Sequence, residues 1–199
     1  MTIGTPDGVF IHHLGLCESQ AVGRGTRIWA FTHIMDGASI GADCNIGGQC
    51  FVESGARIGH RVTVKNGVSV WRGVEIGDDA FVGPNVTFTN DLRPRAFRKK
   101  GPSALLNTRV EQGATIGANA TVLCGITLGA YCFVGAGSVV GADVEPYALV
   151  FGSPARHRGW VCSCGERLDD QLVCPSGARY DRAQEGAGLR ENRAHIRDG

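Results

Sequence analysis

The segment from Thr89 to Asn107, TNDLRPRAFRKKGPSALLN, sets five bases, Arg93, Arg95, Arg98, Lys99 and Lys100, against one acid, Asp91. Pro94 and Pro102 stiffen its path. Guanidinium groups crowded in this way suit a ligand bearing phosphates, because the planar fork pairs bidentately with phosphate oxygens. A second cluster lies further along the chain. Cys162 and Cys164 form a C-x-C pair and Cys174 follows ten residues later, soft donors at a spacing that raises a metal site. Three thiolates alone do not close a tetrahedral structural site. Either His157 supplies the fourth donor for zinc or the cluster is degenerate and holds no metal, and the second reading is preferred.

Side chains of this kind need a scaffold, and the scaffold shows itself as a six-residue period. A large apolar residue stands at every sixth position from Ile28 through Ile34, Ile40, Ile46, Val52, Ile58, Val64, Val70, Ile76 and Val82 to Phe88, and again at Val110, Ile116, Val122, Leu128, Val134 and Val140. Phe10, Leu16 and Val22 extend the series weakly toward the amino terminus. Six fits neither a helix nor a simple amphipathic strand. It fits a short strand, a corner and a repeat, with one large side chain per hexad turned inward. Two residues earlier sits a small or β-branched group, among them Cys44, Cys50 and Cys132, where a free thiol acts as a compact hydrophobe. One residue later, nine of the seventeen slots hold glycine, which suits a corner needing unusual backbone angles or close approach.

The same frame sorts the candidate contacts. Arg27 and His33 precede inward residues and therefore point outward, Arg27 suited to a carboxylate or phosphate and His33 to a sugar. Trp29 and Trp71 occupy the slot after the large residue, available to stack on a base or pack between subunits. Asn85 is either a substrate contact or one rung of an internal asparagine stack. Phe88 and Val110 are twenty-two residues apart, not a multiple of six. The basic segment 89–107 must therefore leave the scaffold and return to it in phase.

The 199 residues carry a formal net charge of +1, which gives no global argument for nucleic acid or an acidic membrane. No run approaches eighteen apolar residues, and MTIGTPDGVF lacks a basic region followed by an apolar stretch. The expectation is a cytoplasmic protein that engages neither membrane nor nucleic acid.

The hexad pattern resembles the hexapeptide-repeat acyltransferases. TRIWAFTHI (26–34), GPNVTFTNDLRPRAF (83–97), GANATVLCGITLGAYCFVGAGSVV (117–140), Pro146 and GSPAR (152–156) are similar to amino-sugar N-acetyltransferases, particularly the UDP-2-acetamido-3-amino-2,3-dideoxyglucuronate N-acetyltransferases of surface-polysaccharide synthesis. The likeness runs from residue 10 to about 180. RKKGPSALLN (98–107) is shorter and more basic than the corresponding part of those relatives. The resemblance implies an all-β fold, a left-handed parallel β-helix of between six and seven coils over 1–158, with the insertion 89–107. A small cysteine-containing, zinc-ribbon-like appendage would follow at 159–182 and a polar mobile tail at 183–199.

It further implies transfer of an acetyl group from acetyl-CoA to the 3-amino group of a nucleotide-linked sugar. Asn90 would align the amine, Asp91 would be the alternative proton acceptor, and Arg27, His33, Asn85, Arg93 and Arg95 would contact the substrate. Gly117, Ala118, Gly135, Ala136 and Ser138 would line the pantetheine arm, with Arg156 near the adenosine phosphates. The site would lie between prisms of a homotrimer. The same chemistry on a dTDP-linked 3-amino-deoxyhexose is the neighbouring reading, and a non-catalytic scaffold is the alternative of another class. A metal hydratase on this solenoid is rejected, since it needs three converging histidines and the repeats offer His33 and His60.

Overall fold

Each hexad makes a strand of mostly two residues, an outward one followed by the large inward one, and then turns a corner. The computed structural model describes residues 3–4, 8–98, 100–183 and 187–192. Successive hexads fall on three faces, so each residue meets its equivalent one coil later. In the regular part that interval is eighteen residues: Thr63 pairs with Asn45 on one side and Phe81 on the other. The first face holds ten strands, parallel except for an antiparallel one at each end, and the second face holds seven. The third face holds five, completed by the bridges Val22 to Ile40 and Leu128 to Val144. The chain thus winds seven coils and begins an eighth, more than the six to seven expected from the hexads. This is the parallel β-solenoid of the left-handed β-helix type. Among the described residues no helix is long and apolar enough to cross a membrane.

All seventeen large residues of the series are at most 4% exposed. Burying each contributes roughly 1.5–3 kcal/mol against the entropy of ordering the chain. The small slot is buried as well; Thr26 and Thr32 are satisfied by the adjacent coil, whereas Thr108 Oγ1 is buried without a hydrogen-bond partner. Thr26 donates to the Gly41 carbonyl at 2.8 Å and accepts from the Cys44 amide at 3.0 Å, and Thr32 does the same with Gly47 and Cys50. The Cys44 and Cys50 thiols donate onward to the Gly59 and Lys65 carbonyls at 3.0 and 3.1 Å. Burial pushes the Cys132 thiol up to about 12, so these cysteines serve as packing groups.

Two expectations are corrected. Phe10 and Leu16 do not open the inward series: Ile11 pairs with Ile28 and Cys17 with Ile34, an interval of seventeen. Phe10 lies outside against Trp29, with ring centroids 5.4 Å apart, and Leu16 is exposed. The corner before Val22 is one residue short. Ser19 spans it, donating to the Ala38 carbonyl at 2.7 Å and accepting from the Ala21 amide at 3.0 Å.

The glycines that follow the large residues do not supply unusual angles. Left-handed φ values fall two residues further on, at Phe31, Asp43, Gln49, Arg61, Asp79, Asn85, Asn119 and Tyr131, with φ between 56° and 61°. A side chain there costs on the order of 1–2 kcal/mol. The glycines permit close approach instead: a Cβ on Gly41 would lie 2.5 Å from the Gly59 carbonyl oxygen, and one on Gly117 2.5 Å from the Ala136 nitrogen.

Across the basic insertion the coil interval grows from eighteen to thirty-four, as Phe81 pairs with Thr115 and Thr87 with Thr121. Both flanking faces therefore continue in register. At the far end, Ala148–Gly152 pairs parallel with Phe133–Val134 and then antiparallel with Ala155–Trp160. Beyond it a small core of Leu168, Tyr180 and Leu189 packs on Tyr147, which stacks on Tyr131 with ring centroids 5.2 Å apart. The segment from 183, read as a mobile tail, contributes a strand: Leu189–Glu191 pairs with Tyr180–Arg182 and Leu189 is buried. Residues 184–186 and 193–199 of that tail, and Lys99 of the insertion, lie outside the described residues.

If coil spacing is the constraint, a methyl group at an inter-coil glycine must destabilise the column. Gly47→Ala, whose Cβ would lie 2.7 Å from the Asn66 amide nitrogen, should cost roughly 1–3 kcal/mol. Gly101→Ala meets nothing within 4 Å and should stay within about 0.5 kcal/mol. Denaturant melts of the two variants check this.

Candidate active site

The insertion leaves from the corner that follows Phe88, and its root is tied to two neighbouring coils and to its own far end. Trp71 Nε1 donates to the Phe88 carbonyl at 2.9 Å, the Cys124 amide donates to Thr89 Oγ1 at 2.9 Å, and the Leu106 amide donates to the Asn90 carbonyl at 3.1 Å. Asn90 is thus held at a closed neck, half-buried. Asp91, next along, is occupied: its Oδ1 accepts from Lys100 Nζ at 2.6 Å and from the Arg93 amide at 2.7 Å, while Lys100 also donates to the Arg93 carbonyl at 2.8 Å. The Lys100 ammonium and the Arg93 amide hold the Asp91 carboxyl below its usual value. A carboxylate so stabilised is a poor proton acceptor near neutral pH. Its evident work is to pin the insertion. Arg93 and Arg95 are exposed beyond the pin, with Arg95 Nη1 donating to the Pro94 carbonyl at 2.9 Å.

An aromatic wall adjoins the neck. His33 and Phe51 stand one above the other on the second face, ring centroids 5.5 Å apart, and Phe51 meets Trp71 at 5.7 Å. His33 Nε2 lies 3.0 Å from Glu18 Oε2. Phe51 escapes a reading based on inward periodicity, although an aromatic residue in an outward slot is itself the signal. Arg27 is on a different face from His33, beside Asn45, and is exposed there.

Gly117, Ala118, Gly135 and Ala136 lie on consecutive coils of one edge, joined by the Gly137 amide donating to the Ala118 carbonyl at 2.8 Å. Asn85 occupies the same edge one coil earlier, exposed and in the left-handed conformation. It is therefore not a rung of an internal asparagine stack. Ser138 corrects another expectation: it is fully buried, donates to the Gly135 carbonyl at 2.6 Å and accepts from the Gly152 amide at 3.3 Å. Its hydroxyl belongs to the core and not to a ligand groove. Arg156 is exposed on the capping strand, beside a cleft of about 650 Å³ that His157, Trp160 and Arg182 also line.

His157 packs its ring on Trp160, centroids 4.6 Å apart. The group of metal-ligating atoms found among the described residues consists of Cys162, Cys164 and Cys174 and excludes His157. His33 and His60 do not join a metal group either; His60 Nδ1 accepts from the Ala42 amide at 3.0 Å on another edge.

The neck with Asn90 and the edge with Gly117 and Gly135 flank opposite sides of the second face. Chemically, the neck offers the Asn90 amide, an aromatic wall that includes the His33–Glu18 pair, and exposed guanidinium groups. That suits positioning a nucleophile that is already neutral, attached to an anionic carrier.

Comparisons with known proteins agree with this geometry. The family model for the bacterial transferase hexapeptide (six repeats) matches residues 22–54, 55–90 and 107–142, so its one internal gap coincides with the insertion. The chain is 48% identical over 178 residues to the dTDP-3-amino-3,6-dideoxy-alpha-D-galactopyranose 3-N-acetyltransferase of Aneurinibacillus thermoaerophilus, covering 87% of this chain and 91% of that protein. It is 30% identical over 154 residues to the bifunctional protein GlmU of Rubrobacter xylanophilus, covering 71% of this chain and 29% of that one. The acetyltransferase domain of PglB from Neisseria gonorrhoeae, solved with acetyl coenzyme A, shares the fold with a TM-score of 0.55 at 19% identity, over 76% of this chain and 58% of that one.

The pin at the base of the insertion can be tested alone. Asp91→Asn should speed tryptic cleavage at Arg95 and Arg98 several-fold while leaving the thermal midpoint of the column nearly unchanged. Because the Asp91 pKa is lowered in the folded chain, the pin should persist as pH falls past the ordinary 3.8 and be lost only on passing through the lowered value. Proteolysis at neutral pH and loop amide exchange across the acid range check the two statements.

Proposed function

Since the chain belongs to the bacterial transferase hexapeptide family, we propose that it is an N-acetyltransferase moving the acetyl group of acetyl-CoA to the 3-amino group of a dTDP-linked 3-amino-3,6-dideoxyhexose. The observation that carries this reading is the 48% identity, across nearly the full length of both chains, to an enzyme named for that substrate class. The UDP-linked glucuronate reading is less well supported. The relative at 48% identity is named for a dTDP-linked 3,6-dideoxy sugar, which carries no C6 carboxylate.

The chemistry asks little acid–base help from the protein. An amine flanked by electron-withdrawing ring substituents resembles an α-amino group, with a pKa of about 8, so a useful neutral fraction exists near pH 7. The nitrogen attacks the thioester carbonyl, a C–N bond forms, and the tetrahedral oxyanion collapses with cleavage of the C–S bond. The proton released from nitrogen leaves with the CoA thiolate. Asn90 accepts a hydrogen bond from the amine and fixes its approach; its amide is not a base. Arg93 and Arg95 attract the nucleotide phosphates, and the aromatic wall at Phe51 and Trp71 supports the ring systems of the substrate. Gly117, Ala118, Gly135 and Ala136 line the pantetheine arm through their backbone, and Arg156 meets the nucleotide end of CoA.

These two halves sit on different edges of one prism, so the reading requires a second copy to bring one chain's neck against another's glycine edge. A homotrimer, in which each of three grooves is closed this way, satisfies the requirement.

Incubation with acetyl-CoA and a panel of nucleotide 3-amino sugars, following free thiol, tests the activity. Turnover should be highest with the dTDP-linked 3-amino-3,6-dideoxyhexoses, and preference for the UDP-linked glucuronate would overturn the assignment. Asn90→Ala should lower kcat by about 10²-fold while acetyl-CoA affinity stays within about threefold. Equal loss of both would remove its aligning role. Sedimentation should give three times the chain mass of 21.0 kDa.

A further inference from the structure

The appendage beyond the column contains a short duplication. Residues 161–167 read VCSCGER and residues 173–179 read VCPSGAR, so valine, cysteine, glycine and arginine recur at an interval of twelve. Both copies adopt one turn. Val161 bridges Arg167 and Val173 bridges Arg179. The Cys162 amide donates to the Glu166 carbonyl and the Cys174 amide to the Ala178 carbonyl, each at 2.8 Å. The Gly165 and Gly177 amides close back onto the Cys162 and Cys174 carbonyls at 2.9 and 2.8 Å, with φ at 94° and 88°. In this correspondence Cys164 of the first turn answers to Ser176 of the second. The apparent vacancy in the cysteine set is therefore a substitution of hydroxyl for thiol at an equivalent place.

The donor atoms converge. The three sulfurs lie within 4.8 Å of one another, Cys164 Sγ is 3.6 Å from Cys174 Sγ, and Ser176 Oγ is 3.1 Å from Cys174 Sγ. Two sulfurs each about 2.3 Å from a tetrahedral zinc lie about 3.8 Å apart. Outer groups orient the sulfurs: Tyr180 Oη donates to Cys162 Sγ at 3.1 Å and the Ser176 amide to Cys174 Sγ at 3.5 Å. Leu168, Tyr180 and Leu189 with a few neighbours form a core too small to fold a unit of this size without a staple, and all three cysteines are unbridged.

We propose that the two turns clasp one divalent zinc ion through Cys162, Cys164 and Cys174, with Ser176 Oγ as the fourth donor. All four donors belong to the appendage and none to the neck or the glycine edge, so this inference stands apart from the proposed activity. Loading releases the thiol protons. The hydroxyl is a weaker, neutral donor than a thiolate, which makes this corner of the site the exchangeable one.

Metal analysis of the reduced, desalted full chain from zinc-replete cells should find about one zinc per chain. Cobalt-loaded protein should show thiolate-to-metal charge transfer that grows by about one third in Ser176→Cys, as three thiolates become four. Ser176→Ala should keep that band and surrender its metal to a chelator at least about tenfold faster. A wild-type chain that carries no zinc and gives no charge-transfer band with cobalt would overturn the site. Ser176→Ala with wild-type cobalt bands and chelation rate would overturn the role of the serine. Circular dichroism of each variant confirms that the column is intact when these readings are made.

Discussion

Coil-to-coil backbone hydrogen bonding is the interaction on which the rest of the molecule depends. Each coil offers its amides and carbonyls to the next, and a fixed interval of eighteen residues keeps the ladders on all three faces in phase at once. A coil cannot be lengthened gradually. Extra chain must be expelled at a corner and must return without changing the register of the faces on either side. The sixteen-residue excess between Thr87 and Thr121 obeys this rule, which is why the polar, basic segment is concentrated at one edge. Regular packing forces the irregular residues into one place, and that place becomes the one able to evolve a site.

The large inward residues are legible from the sequence because the slot closed on every side by the column holds an apolar group in all seventeen hexads of the series. The corners were less legible. The left-handed positions accept Phe31, Arg61 and Tyr131 as well as glycine, because the ladders above and below over-determine the backbone, and residue type there carries little signal. Ser138 differs for a related reason: the resemblance sets it along the pantetheine arm, while its slot in the hexad places it in the core. Phe10 and Leu16 show that a period counted in residues survives a missing one only as a shifted frame. The register of Ile11 with Ile28 displays that shift, and the apolar character of Phe10 conceals it.

The candidate site was legible in its ingredients and not in its division of labour. Asn90 and Asp91 are neighbours in sequence, yet one sits at the neck held by Leu106 and the other is committed to Lys100. That pairing spans nine residues of an irregular loop, and no periodicity announces it. The aromatic wall arises because residues eighteen apart, such as His33 and Phe51, become neighbours only when coiled.

The antiparallel strands at the two ends of the first face have a consequence of their own. A stack of parallel rungs ends in a row of unsatisfied amides and carbonyls, a template on which another column can grow. Ile3–Gly4 runs against Phe10–Ile11 at one end and Ala155–Trp160 against Ala148–Gly152 at the other. Reversal of direction, together with the bulge between Leu149 and Val150, interrupts the parallel stack at both ends of this face. On this face, an architecture that in an uncapped peptide would template a fibril is closed by strands of opposite sense.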